Sequence, residues 1–129
     1  MLKFKFLLWA LTKLLQRAVN KNPACANYVN GKELVFQIQT RDGIGRHFRI
    51  KNGKVDSTAG LTQSPKFTMT FRDAARGFAI LSAKDGKEAF LAALHDQDLV
   101  ITGDFVEVMW FQGLTEYLQP KANVSVHYA

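Results

Sequence analysis

The sequence predicts an α/β domain of the α+β type, with five short strands and four helices around one core. Three observations carry that prediction. Residues 33–40, 46–51 and 66–72 alternate apolar and polar side chains with the two-residue period of half-buried strands. Residues 1–23 and the stretches after Asp73, Asp85 and Asp104 change to helical spacing instead. Finally, 129 residues at 47% hydrophobic content suffice for one core and not for two domains, and they exclude a disordered or low-complexity chain.

The first helix is amphipathic and basic. Phe4, Leu7, Leu8, Leu11, Leu14, Leu15, Ala18 and Val19 fall on one broad stripe at about 100° per residue. Leu2, Phe6 and Trp9 lie on the opposite side, among Lys5, Lys13 and Arg17. Aromatic groups ringed by cations suit the headgroup region of an anionic membrane, or else a protein partner that covers Phe6 and Trp9. The expectation is that the segment is neither a signal peptide nor a membrane span. Its uninterrupted apolar run stops at Leu11, and Lys and Arg recur through Lys21.

After Pro23 the period changes. Leu34, Phe36 and Ile38 form the inward side of the first strand, and Val35, Gln37 and Gln39 the other. Asp42-Gly43 with Gly45 supplies a turn, after which Phe48 and Ile50 point inward again. Asn52-Gly53 marks a tight hairpin into a short edge strand at 54–58, because both residues tolerate positive φ. In the fourth strand Phe67, Met69 and Phe71 share a face opposite Thr68 and Thr70.

Asp73 caps a short helix running to Ala83, with Phe78 and Leu81 on its apolar side. Asp85 and Glu88 form a capping box for a second one, from Gly86 to His95, that buries Phe90, Ala93 and Leu94. Residues 99–102 are apolar on both faces except at Thr102, which predicts a central strand. The last helix, from Phe105 to Leu118, has only Glu107 as a polar group in its first two turns and is expected to be buried all round. Val106, Met109, Trp110, Gly113, Leu114 and Tyr117 make one stripe of it, and Val108, Phe111, Thr115 and Leu118 another.

The charge is unevenly spread. Residues 1–55 hold eleven Lys/Arg against Glu33 and Asp42, whereas the remainder holds six against nine, giving the net +6. The basic half suits an anionic partner. Nucleic acid is the weaker fit, because the only aromatic residue among Arg41, Arg46, Arg49, Lys51 and Lys54 is Phe48, and alternation turns it inward.

Catalytic and metal signatures are missing from the sequence. No nucleophile elbow, phosphate loop or H-E-x-x-H run occurs, and Gly43-Ile44-Gly45 is a hairpin turn. His47, His95 and His127 are scattered, and Cys25 is a single cysteine in a connector, which permits no internal disulfide and leaves a cytoplasmic location as the default. Asn123-Val124-Ser125 matches a glycosylation sequon that has no role there. The expectation is a protein that is not an enzyme and needs no cofactor or metal.

The order of elements, with Lys66–Arg72 leading into a helix opened by Asp73, then Phe90-x-x-x-Leu94, then Asp98-Leu99-Val100-Ile101-Thr102-Gly103-Asp104 before the last helix, resembles the sterol carrier protein type-2 domain over residues 30–118. The resemblance implies a mixed, largely antiparallel five-stranded sheet covered by helices. Between them it implies an apolar tunnel for an acyl chain, sterol or other lipid. Carried over by position, Phe67, Met69, Phe71 and Ile101 on the sheet would line or gate that space. Phe78, Leu81, Phe90 and Leu94 would join them from the two short helices, and Phe105, Met109, Trp110 and Leu114 from the last. The bulk of Phe105, Val106 and Val108 to Phe111 departs from the family pattern and implies a narrow or occluded tunnel.

The basic helix, residues 1–23, lies outside the resembling domain at 24–129 and is free to plug the cavity, pair protomers or dock on a membrane. Some bacterial members of the family are accessory factors in ubiquinone biosynthesis that hold isoprenoid intermediates for lipid-modifying enzymes. A chain that finishes His127-Tyr128-Ala129 instead of a peroxisomal tripeptide suits that branch. The expected partners are therefore a hydrophobic lipid, an anionic inner-membrane surface met transiently, and a homodimer partner or a lipid-modifying enzyme. The competing expectation is a scaffold or dimerisation module whose cavity is filled.

Overall fold

The computed structural model describes residues 2–83 and 85–118. Pro120, the Asn123 sequon and His127 lie outside the described residues. The chain forms α1 (Leu2–Lys21), α2 (Pro23–Val29), β1 (Leu34–Thr40), β2 (Gly45–Lys51), β3 (Lys54–Ala59), β4 (Phe67–Phe71), α3 (Ala74–Leu81), α4 (Gly86–His95), β5 (Leu99–Gly103) and α5 (Phe105–Thr115), closed by a 3-10 turn at Glu116–Leu118.

The five strands make one mixed sheet in the order β3-β2-β1-β4-β5, with a parallel pair at β1–β4 and antiparallel pairs elsewhere. The hairpin between β2 and β3 turns at Asn52 and Gly53, whose φ values of 54° and 74° are those the Asn-Gly pair predicts. To reach its place beside β1, the chain between β3 and β4 crosses the sheet on the side away from the helices. There Thr62 donates its amide to Gln37 Oε1 at 2.9 Å, and Gln37 Nε2 donates to Thr68 Oγ1 at 3.1 Å. Two polar side chains are thus buried with their bonds made.

The other face is apolar in register. Leu34 and Ile50, Phe36 with Phe48 and Phe67, Ile38 with Met69, and Phe71 with Leu99 stand opposite one another across neighbouring strands. The helices cover this face, α1 over β2 and β3 and α5 over β4. Two helix starts follow the expected caps, Asp73 accepting from the Arg76 amide and Asp85 from Glu88, and Asp104 caps α5 in the same way by accepting from Val106. The Asp85 contact also raises the Glu88 carboxyl above its ordinary value.

Four expectations need correction. Residues 23–29 are a helix, not a connector: Asn22 caps it, accepting from the Ala24 and Cys25 amides, and Pro23 stands at its first position, where a missing N–H costs nothing. β5 is an edge strand, and its double-sided apolar run leaves Val100 exposed. α5 is not buried all round, because the sheet takes only Val108, Phe111 and Leu114 while Phe105, Val106 and Met109 remain 51%, 76% and 49% exposed. In α1 the buried stripe is Phe4, Leu8, Thr12, Leu15 and Val19, rotated so that Leu14 faces out. Thr12 enters the interior because its hydroxyl is satisfied twice, by the Leu8 carbonyl at 3.1 Å and Ser57 Oγ at 2.6 Å.

Candidate functional site

Between sheet and helices, the space is occupied by phenylalanine. The Phe36 ring stacks on Phe48 (5.0 Å between centroids) and on Phe67 (4.9 Å), and Phe111 from α5 closes on it at 4.6 Å. Rings at these separations leave no room for an alkyl chain between them.

The sequence-predicted lining residues fall around this filled centre in three settings. Phe67, Met69 and Phe71 of the sheet, Phe90 of α4 and Leu114 of α5 are buried. Phe78 and Leu81 of α3, Leu94 of α4 and Ile101 of β5 are half-buried. Phe105 and Met109 project from the head of α5. Of these, Leu81, Leu94 and Ile101 pack against the buried cluster.

Trp110 has a different partner. Its ring stacks on Tyr28 of α2 at 5.0 Å and 19°, Lys32 Nζ stands 4.8 Å from it, and Lys32 makes an ion pair with Glu107. Tyr28 donates its hydroxyl to the Trp110 carbonyl at 2.7 Å, and a side chain on Gly113 would collide with that hydroxyl. Together these contacts fasten α5 to α2. Burial, with Tyr117 and Glu116 nearby, pushes the Tyr28 phenol above its ordinary value and keeps it a donor. Sequence reasoning missed this clamp; the signal for it was Asn22-Pro23, a cap and first-turn pair that announces the helix carrying Tyr28.

The outer face of α1 carries apolar and basic side chains side by side. Leu2, Phe6 and Trp9 are exposed, Phe6 and Trp9 lie 5.7 Å apart, and Lys13 Nζ is 5.7 Å from the Trp9 ring. Lys5 and Arg17 are exposed with them, and the helix contains no acidic residue. Near its far end an open cleft of about 410 Å³ is lined by Leu14, Arg17, Ala18, Lys21, Tyr117 and Leu118 among others. The sequence reading hid it by placing Leu14 on the inner stripe.

Among the described residues no group of three His, Cys, Asp or Glu side chains is placed to hold a metal ion, and no helix is long and apolar enough to cross a membrane. Cys25 is fully buried and burial pushes its thiol up, away from the reactive thiolate. His47 contacts the Gly60 carbonyl and His95 its neighbour Asp96.

No family model and no curated protein matches the sequence. Solved structures do match its fold. A protein described as "UbiJ-SCP2 Ubiquinone synthesis protein" superposes with a TM-score of 0.66 at 15% identity, over 89% of this chain and 97% of its own. Sterol carrier protein domain 2 of Helicoverpa armigera gives 0.61 at 18% identity over 86% and 87%, and a further sterol carrier protein 2 gives 0.53 at 16% over 85% and 94%.

Proposed function

The chain has the sterol carrier protein type-2 fold, and we propose that it is a non-catalytic lipid carrier, working as an accessory factor that presents an isoprenoid or acyl chain to lipid-modifying enzymes. The observation that carries this reading is the apolar surface that the phenylalanine-filled core does not take in: Phe78, Leu81, Leu94 and Ile101 stay half-buried and Phe105 and Met109 exposed. The likeness to a ubiquinone-synthesis protein supports an isoprenoid as cargo. Such a tail binds by burial. Each methylene moved from water contributes about 0.8 kcal/mol, so a few isoprene units lying along that surface outweigh the cost of ordering the tail. Because Phe36, Phe48, Phe67 and Phe111 occupy the centre, the tail lies over the filled layer, or enters only as α5 moves outward.

The outer face of α1 serves the same role at the membrane. Trp9 and Phe6 enter the headgroup layer while Lys5, Lys13 and Arg17 attract anionic lipid, which concentrates the carrier where its cargo is made.

A scaffold without cargo is the second reading, and the stacked phenylalanines favour it. Native mass spectrometry of the gently purified chain, followed by lipid analysis of what it releases, separates the two. A stoichiometric isoprenoid or acyl adduct is the expected result. A bare 14.5 kDa mass that persists after incubation with mixed lipid vesicles overturns the carrier reading.

A further inference from the structure

The open cleft beside the second half of α1 has two unlike walls. Leu14 and Ala18 of α1, with Tyr117 and Leu118 of the closing turn, make the apolar one, and Leu14 is 50% exposed. Arg17 and Lys21, one helical turn apart on α1 and both exposed, supply the other. Among the described residues neither cation makes an ion pair, and no acid lines the cleft. Glu116 adjoins Tyr117 in sequence, and its charge acts on the Tyr28 phenol. Asn22 adds a polar donor: its Oδ1 accepts from the Ala24 and Cys25 amides, which leaves Nδ2 as the group that can donate to a ligand. Those two amides are thereby spent, so the positive character of the cleft comes from its side chains and not from the start of α2. Its volume of about 410 Å³ falls in the range of small-molecule sites, roughly 300–1,000 Å³.

We propose that this cleft binds a single-chain alkyl or isoprenyl phosphate, its head at Arg17 and Lys21 and the first part of its chain on the apolar wall. Charge selects the head. A phosphate monoester carries about −1.5 to −2 at neutral pH, which two cations match, whereas a carboxylate leaves one of them unanswered. Arg17 brings paired N–H donors suited to two phosphate oxygens, and Lys21 a compact charge for the third. The apolar wall selects a chain over bare phosphate, because methylenes lying on Leu14, Ala18 and Leu118 cover surface that the core leaves wet. The cleft stands at the tail end of the 11-residue α5, whereas Phe105 and Met109 stand at its head. The inference therefore goes beyond the carrier reading and holds whether or not the surface at the head of α5 takes cargo.

Isothermal titration calorimetry of the full chain with decyl phosphate, kept below its micelle-forming concentration, tests it, with inorganic phosphate and decanol as the two halves of the probe. One decyl phosphate per chain is expected, and each half alone is expected to bind at least about tenfold more weakly. Arg17→Gln/Lys21→Gln and Leu14→Asp alter exposed residues of one helix, so they are expected to unfold cooperatively and to lose about tenfold or more in affinity. Lys51→Gln/Lys54→Gln removes the same charge from the β2–β3 hairpin and is expected to bind within about twofold of the wild type. Decyl phosphate bound no more tightly than decanol overturns the proposal, as does an Arg17→Gln/Lys21→Gln chain that binds like the wild type. So does an equal loss in the hairpin variant, which assigns the attraction to net charge, or inorganic phosphate bound as tightly as decyl phosphate, which makes the site one for free phosphate. The carrier reading fails separately: a bare mass after exposure to lipid vesicles, in a chain that still takes one decyl phosphate, removes the carrier and keeps the cleft.

Discussion

The first and last helices each carry more apolar side chains than the core accepts, and they differ in what surrounds the surplus. On α1 the exposed Leu2, Phe6 and Trp9 stand among lysines and an arginine with no acid nearby in sequence. On α5 the exposed Phe105, Val106 and Met109 follow Asp104, whose carboxylate is engaged as the cap, and flank Glu107, which is paired with Lys32. Equal hydrophobic excess therefore produces two kinds of surface. The cation-ringed one has the chemistry that suits an anionic interface, and the charge-neutral one that of an apolar ligand or another protein face.

The buried stripes of the two helices should fail alike, and that is the largest effect expected. Phe111→Ala removes the ring that closes on Phe36 and Phe67, and Phe4→Ala removes the one set edge-on to Phe71 at 6.3 Å. Each loses about 3–5 kcal/mol, read from urea unfolding. A loss of only about 1 kcal/mol at Phe111 would break the comparison, since it would mean that α5 is held by its α2 clamp and not by the sheet.

The outer faces should then separate. Phe6→Ser/Trp9→Ser is expected to weaken cosedimentation with anionic liposomes by about tenfold or more while unfolding stays cooperative. Phe105→Ser/Met109→Ser should leave vesicle binding within about twofold and diminish the lipid recovered with the protein. If both pairs weaken vesicle binding equally, the cations around α1 confer no distinction. Raising the salt narrows the contrast and lowering it sharpens it, since only the α1 contribution is screened.

Much of this was legible in the sequence, for a reason that differs between the sheet and the helices. Strand period is two, so Phe67-Thr68-Met69-Thr70-Phe71 cannot be read with its faces exchanged, and Asn52-Gly53 admits few turns other than the one observed. Helix faces are broader. A hydroxyl such as Thr12 crosses to the inside when another strand offers it a partner, and that partner, Ser57, is forty-five residues away. The exposed head of α5 and the edge position of β5 were misjudged together. Apolar composition reports what a side chain prefers, whereas burial also requires an element to lie over it, and no described element lies over the outer side of β5 or the head of α5. Of the candidate site, the α1 face could be read because it depends on one helix alone. Burial among the expected lining residues could not be ranked, because whether Leu81 or Phe71 is wet depends on how closely α3, α4 and α5 approach the sheet.

The smallest expected effect lies in the polar contacts that fasten each helix. α1 is tied down by Thr12 to Ser57 and by Gln16 to Val55, groups that do not titrate, whereas α5 is tied through the Tyr28 phenol to the Trp110 carbonyl. Because burial raises the phenol's value in the folded chain above the ordinary 10.0, the folded state holds that proton more tightly than the unfolded state does. The associated stability is intact below 10.0 and falls as pH rises through the raised folded value. Tyr28→Phe should lose about 1 kcal/mol at neutral pH and flatten that alkaline decline, while Thr12→Val should lose a similar amount and keep the decline unchanged. Urea unfolding of both variants at neutral and alkaline pH makes the measurement. A decline as steep in Tyr28→Phe as in the wild type would assign it to other tyrosines or lysines, and the two fastenings would then be equivalent.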